Sequence, residues 1–304
     1  MAKTALVIIE SREKQVIKNV IGPQLKQSKK VEVSTSRGAT LAIDYCIIND
    51  GNQHFSNEVF LMVTGFGSGW TGTAKFGYDL AILGHEVCMV SMPGYGNSDD
   101  PFLPYYVIDN TRRDDADILA NFIKQVLPGK KVHLVGHSMG AEIITNLASR
   151  YPKLVTSMIL LAPAGFEKRG LLEVGIKFVA NGILHGIAFR GNKVWAELKN
   201  FLPKEKSPFA LSRLRQRIRE WIRLCHGNES LEAFKDVPKE IPIICMWAAK
   251  DFVFQKEKSS LFKIKTAMQR SFSIVSLPLW HNVTMEGSEK TAHAVDSFVR
   301  YQVN

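Results

Sequence analysis

Gly136-His137-Ser138-Met139-Gly140 lies between the apolar run Lys131 to Val135 and the amphipathic stretch that begins at Ala141. That places a serine flanked by glycines at a strand-to-helix turn, where a sharp elbow lifts a hydroxyl clear of the sheet edge. Gly136 and Gly140 suit an elbow that presses the backbone against its neighbours, and His137 packs beside it. The helix that follows starts with N–H groups lacking intrahelical partners, so the amide of Met139 is suited to hold an oxyanion. A serine hydroxyl is a weak nucleophile at neutral pH; it needs an imidazole base, and the base needs a carboxylate. Eight histidines compete for the first role. A second oxyanion donor is expected from Thr64-Gly65-Phe66-Gly67-Ser68-Gly69-Trp70, since no Gly-Lys-Ser/Thr follows to make this a phosphate loop.

The elements that must position these groups alternate. Val31–Ser36 and Leu41–Ile48, separated by Arg37-Gly38, read as an antiparallel pair. Val59–Val63, His85–Ser91, Val132–Val135, Thr156–Ala162, Ile241–Trp247 and Phe272–Leu277 read as further strands. Helical periodicity runs through Thr73–Leu83, Asn110–Leu127, Met139–Arg150, Lys256–Gln269 and Glu289–Tyr301. Such alternation predicts an α/β fold with a mostly parallel sheet of about eight strands. It is interrupted over residues 166–236, a basic and mainly helical insertion.

The 304 residues suffice for a substantial core, and 45% hydrophobic with 22% charged residues is ordinary globular composition. Four scattered cysteines, with no CxxC pair, argue against a metal knuckle or a disulfide framework and for a reducing compartment. Neither a secretory leader nor a membrane span is expected, so the reading is cytoplasmic. Net charge is +10 and uneven: residues 1–31 carry seven Lys or Arg against two Glu, and residues 166–236 carry fourteen against eight acids. No nucleic-acid-binding signature accompanies this charge, and nucleic acid is not expected as a partner.

The elbow, Phe60 to Gly69, Val90 to Pro101, Val132 to Pro163 and Ile241 to His281 together resemble the α/β-hydrolase superfamily. The resemblance implies an eight-stranded, mostly parallel sheet flanked by helices, with a helical cap inserted after strand six. It divides the chain into a basic extension 1–30, a core of 31–165 and 237–304, and a cap of 166–236. It also implies a triad ordered nucleophile, acid, histidine: Ser138, then Asp251 in Trp247-Ala248-Ala249-Lys250-Asp251, resembling the family's W-G-x-x-D, then His281 in Leu279-Trp280-His281-Asn282. Ala248 and Phe254 depart from the usual glycine and proline of that acid loop, and Glu167 is the alternative acid. Thr64-Gly65-Phe66-Gly67 stands where the family often has H-G-x-G, which makes the Phe66 amide the second oxyanion donor and points its ring at an acyl pocket. Gly65, Gly67, Tyr95 and Trp280 are the remaining pocket candidates, Tyr95 within the family-like Ser91-Met92-Pro93-Gly94-Tyr95-Gly96 turn.

These groups call for no metal and no cofactor. They predict a serine hydrolase acting on a carboxylic ester, monoacylglycerol or a medium-chain acyl ester given the apolar cap. Carbon–carbon bond hydrolysis, thioester or amide hydrolysis and cofactor-free haloperoxidation suit the same triad, and a ligand receptor without turnover is the alternative from another class. In the cap, Leu171–Phe189 is strongly apolar but weakened as a helix by Gly175, Gly182 and Gly186, and is expected to line a tunnel. Pro208–Cys225 gathers Leu211, Leu214, Ile218, Trp221, Ile222 and Cys225 on one face, with five arginines over the rest. The ordinary disposition of such a helix puts the apolar face on a core and the charges in water; peripheral contact with anionic membrane is the other expectation. The sequence is silent on oligomeric state.

Overall fold

The structure is a computed structural model that describes residues 14–49, 57–101, 111–166, 169–188, 192–207, 210–226, 228–254 and 272–303. The expected helix 256–269 and the alternative acid Glu167 lie outside these residues. Eight strands form one sheet: β1 (Lys29–Ser34), β2 (Thr40–Ile48), β3 (Glu58–Val63), β4 (Val87–Val90), β5 (Lys131–His137), β6 (Ser157–Leu161), β7 (Ile243–Ala248) and β8 (Phe272–Leu277). Their spatial order is β1-β2-β4-β3-β5-β6-β7-β8. β2 runs antiparallel to both β1 and β4, and the pairs from β4 to β8 are parallel.

The parallel strands β4, β6 and β7 are buried at every position, which is why they read as continuous apolar runs rather than alternating ones. Helices cover both faces. α1 (Ala74–Ile82) follows β3, α2 (Arg112–Val126) precedes β5, and α3 (Met139–Arg150) follows it. α2 begins at a capping box: Thr111 Oγ1 accepts from the Asp114 amide at 3.1 Å, and Asp114 Oδ2 accepts from the Thr111 amide at 3.0 Å. Residues of the basic N-terminal extension that the structure describes are not a free tail. Ile17, Ile21 and Leu25 are buried in the layer beneath α1.

Between β6 and β7 come four helices, α4 (Leu171–Ala188), α5 (Lys193–Lys199), α6 (Leu214–His226) and α7 (Asn228–Asp236), and α8 (Ser288–Phe298) follows β8. α4 is continuous through Gly175, Gly182 and Gly186. The expected orientation of α6 holds only in part: Cys225 is buried and Trp221 packs on the core, with Arg215 and Arg219 exposed, but the rest of the helix faces the other way. Arg213, Gln216, Arg217 and Glu220 are buried, whereas Leu211, Leu214, Ile218 and Ile222 are exposed, Leu211 by 86%. The cause is the surface beneath. The turn 93–98 presents carbonyls, and the buried stripe caps them: Gln216 donates to Pro93 O at 2.7 Å, Arg217 to Gly94 O at 3.0 Å, and Arg213 to Gly96 O and Ser98 O at 3.2 Å each. Arg213 Nε also pairs with Asp100 Oδ1 at 2.6 Å. Gly94 has φ +78°, a conformation that favours glycine, and a Cβ there would sit 1.8 Å from Gln216 Oε1 and push that side chain aside.

Candidate active site

Ser138 occupies the turn between β5 and α3 with φ 51° and ψ −115°, a backbone conformation that a residue with a side chain adopts only under constraint. The constraints are visible. Its amide donates to Leu161 O at 2.9 Å, and its carbonyl accepts from Ala141 at 3.0 Å and Ala164 at 3.2 Å. A Cβ on Gly136 would lie 2.6 Å from the Ala141 nitrogen, and one on Gly140 would lie 2.2 Å from Val63 O. Both contacts are with backbone, so neither can be relieved by a rotamer change.

His281 stands on the loop after β8. With its proton on Nδ1 facing Asp251 Oδ2 at 2.7 Å, its Nε2 accepts from Ser138 Oγ at 3.0 Å. Asp251 is held from its other oxygen, Oδ1 accepting from the amides of Val253 at 2.8 Å and Phe254 at 3.0 Å. The acid and histidine loops are also tied directly, Ala249 donating to Leu277 O at 2.7 Å and Lys250 to Leu279 O at 2.9 Å. His137, one residue from the nucleophile, reaches across the sheet edge and donates through Nε2 to His281 O at 2.9 Å. All three triad side chains are buried, Ser138 at 1%, His281 at 2% and Asp251 at 5% exposure.

The other histidines that the structure describes are engaged elsewhere. His85 pairs with Asp296 at 2.7 Å, His133 bonds Ser157 Oγ at 2.8 Å, and His293 is exposed on α8. Gly65 passes so close to the nucleophile that a Cβ on it would lie 3.1 Å from Ser138 Cβ. The Gly65–Phe66 segment thus passes beside Ser138, and Met139 opens α3 on the other side of it in sequence.

A cavity of about 710 Å³ opens above, lined by Phe66, Gly67, Leu171, Gly175, Phe178, Val179, Leu214, Arg217, Ile218, Trp221 and Ile222. Phe178 links it to the triad: its ring lies 5.3 Å from Trp221, 6.2 Å from Phe66 and 5.8 Å edge-on to His281. Phe254 flanks the same imidazole at 5.5 Å. Of the pocket candidates only Gly67 lines this cavity; Gly65 sits beside Ser138, and Tyr95 and Trp280 are engaged elsewhere. Tyr95 is buried under α6, its hydroxyl donating to Glu220 Oε2, because a buried phenol needs an acceptor. Trp280 packs edge-on against Phe252 at 5.8 Å and is absent from the cavity lining. Phe178 falls within the stretch expected to line a tunnel, whereas Arg217 and Glu220 had no place in the expected site. An Arg-Ile-Arg-Glu string carries no mark that its charges are inside.

Residues 58–220 match the model of the alpha/beta hydrolase fold. Lipase 3 of Moraxella sp. (strain TA144) is 23% identical over 284 residues, covering 86% of this chain and 84% of the lipase. The 2-hydroxy-6-oxononadienedioate/2-hydroxy-6-oxononatrienedioate hydrolase of Burkholderia vietnamiensis is 33% identical over 146 residues, 47% of this chain and 46% of that one. Among solved structures, a thermophilic esterase from Thermogutta terrifontis superposes with a TM-score of 0.65 at 16% identity, over 91% of this chain and 100% of the esterase. With its sheet order, its elbow and a matched segment longer than half its length, the chain belongs to the alpha/beta-hydrolase family.

Proposed function

We propose that the protein is a serine hydrolase that cleaves carboxylic esters through an acyl-enzyme. The carrying observation is the unbroken hydrogen-bond line Asp251–His281–Ser138, with 2.7 and 3.0 Å between heavy atoms. His281 Nε2 takes the Ser138 proton as Oγ attacks the ester carbonyl, and the Asp251 carboxylate holds the imidazole tautomer and balances the imidazolium. The oxyanion forms between the amides of Met139 and Phe66, and His281 returns its proton to the leaving alcohol. Water then repeats the sequence on the acyl-serine. The α4–α6 insertion acts as a cap whose apolar underside takes the acyl chain. Activity-based labelling tests this: a fluorophosphonate probe is expected to modify wild type and not Ser138→Ala, which loses at least ~10⁴-fold in p-nitrophenyl ester turnover. Labelling retained in Ser138→Ala, or absent from folded wild type, defeats the assignment.

The cap also supports substrate capture from a lipid surface. Leu172, Ile176, Val179 and Ile183 form an exposed stripe on α4, and Leu211, Leu214, Ile218 and Ile222 a second on the α6 side. Val179, Leu214, Ile218 and Ile222 belong to the cavity lining as well, so the stripes surround its mouth. Arg215 and Arg219 stand exposed beside them, the arrangement of an interfacial helix on anionic lipid. Co-sedimentation with phosphatidylglycerol vesicles is expected to fall with added salt and with Ile218→Asp; binding indifferent to lipid charge counts against it.

A further inference from the structure

The loop from Thr64 to Trp70 has glycine at every second position from Gly65 to Gly69, and Gly67 sits at φ +82°. Such a backbone has many conformations open to it, so the one it adopts must be selected by contacts. Near its start, Thr64 Oγ1 donates to Ser68 O at 2.7 Å and closes the loop on itself. At its end, the Trp70 amide donates to Ser91 Oγ at 2.9 Å, a contact with the core. The third contact comes from the insertion. Glu205, between α5 and α6, accepts through Oε1 from the Thr71 amide at 3.3 Å, across 134 positions of sequence.

Glu205 is half-buried, and its carboxylate is fitted to this place. A Cβ on Gly69 would lie 2.5 Å from Oε1 and 2.8 Å from Cδ, and one on Gly96 would lie 3.2 Å from Oε1, so two glycines make the room it occupies. The backbone beside it is tied as well, Asn97 Nδ2 donating to Lys204 O at 3.1 Å. Burial pushes the Glu205 carboxyl above its ordinary value, and the Thr71 amide, the Thr71 hydroxyl and the Gly69 amide act against that rise. Hydrogen bonds to an ionised acceptor are roughly twice as strong as neutral ones, which suits a restraint on a glycine-rich loop.

The insertion reaches the first half of the loop too, with the Phe66 ring 5.5 Å from Trp221 and 6.2 Å from Phe178 between centroids. Apolar contacts are non-directional and seat the ring. A hydrogen bond is directional, and Glu205 can set how the following peptides turn. We infer that Glu205 is a positioning residue for ester cleavage: from the insertion it holds the 69–71 backbone, and through it the preceding peptides, where the Phe66 N–H meets the oxyanion. This rests on the ester-hydrolase reading, in which the Phe66 amide is one of two oxyanion donors. Glu205 acts through the loop and not on the substrate.

The test separates transition-state from ground-state effects, since a misplaced oxyanion donor weakens the former. Glu205→Ala is expected to lower kcat for p-nitrophenyl butyrate by about tenfold with KM within about twofold, a part of the roughly 10²- to 10³-fold that loss of a whole donor costs. Affinity for butylboronic acid, whose adduct with Ser138 is tetrahedral like the intermediate, should fall by a similar factor, while the Kd of Ser138→Ala for the ester is the same with and without Glu205→Ala. Glu205→Gln keeps an acceptor oxygen for the Thr71 amide and should recover most of kcat. Glu205→Asp draws the carboxylate back by one methylene and should behave as Glu205→Ala, so the Gln and Asp variants decide the matter even should Glu205→Ala fail to fold. Unchanged kcat and boronate affinity in Glu205→Ala and Glu205→Asp, or a loss confined to KM and ester Kd, overturns the inference. If wild type turns over no ester, the ester-hydrolase reading fails on its own, and amide hydrogen exchange still reports on Glu205. Residues 69 and 71 should then exchange at least about fivefold faster in Glu205→Ala than in wild type, and equal rates overturn the inference.

Discussion

The elbow and the α6 joint are both buried, and they are built in opposite ways. At the elbow the backbone itself is the constraint: Gly136 and Gly140 leave no room for a Cβ, and Ser138 holds a positive φ because three backbone hydrogen bonds fix it. At the joint the side chains are the constraint, with Arg112, Asp115, Glu142, Arg217 and Glu220 packed without water-facing surface. Backbone close packing fixes a conformation irrespective of pH, whereas a buried charge network is as stable as its protonation state allows. The difference teaches that the elbow geometry and the seating of α6 respond to different variables.

The largest expected effect is at the rigid end of that comparison. Asp251→Asn preserves the shape and both amide contacts but offers His281 Nδ1 an amide that favours the wrong tautomer. Turnover should fall by about 10⁴-fold while KM changes little and the urea midpoint stays near wild type. A loss of stability comparable to the loss of activity would mean the site is held by charge as the joint is, and the contrast would break.

A smaller effect is expected from Asp115→Asn. Burial raises the Asp115 carboxyl to about 6 from 3.8, so the folded protein keeps a proton that the unfolded chain has lost. Its contribution to stability is full below pH ~4 and is lost as pH rises through about 6. His133, buried near Glu58 on the sheet, works the other way: burial lowers it to about 4 from 6.5, so its contribution is full above 6.5 and is lost as pH falls through about 4. Each is of the order of ~3 kcal/mol, and in wild type the two slopes oppose one another. Urea unfolding of Asp115→Asn should therefore show stability rising more from pH 4 to 6 than wild type does, by about 2 kcal/mol. A variant profile parallel to wild type would show that the joint does not titrate.

The same division explains what could be read from residues alone. The mostly parallel sheet and the elbow were legible because local pattern and close approach determine them: Val-rich runs alternating with helices, and two glycines around a serine; Asp251 and His281 were placed by their resemblance to the family's loops. The facing of α6 was not. A helical wheel identifies an apolar and a polar side but is indifferent to which one points inward, and the decision came from carbonyls at residues 93–98, more than a hundred positions upstream. Tyr95 was assigned to the pocket for the same reason, since its acceptor Glu220 lies 125 residues away.

Glycines give the mildest way to sharpen the contrast. Gly182 lies within the continuous α4, at a place where its residue type predicts a weak point in the helix. In the structure it is exposed, with nothing within 4 Å of an added Cβ and no positive φ. Gly182→Ala should therefore remove only the backbone entropy of glycine, raising stability by about 1 kcal/mol with turnover unchanged. Differential scanning calorimetry and p-nitrophenyl ester kinetics on one preparation check both halves. If turnover falls as stability rises, α4 has to bend at Gly182 for substrate to reach Ser138, and the glycine serves cap movement as Gly140 serves the elbow.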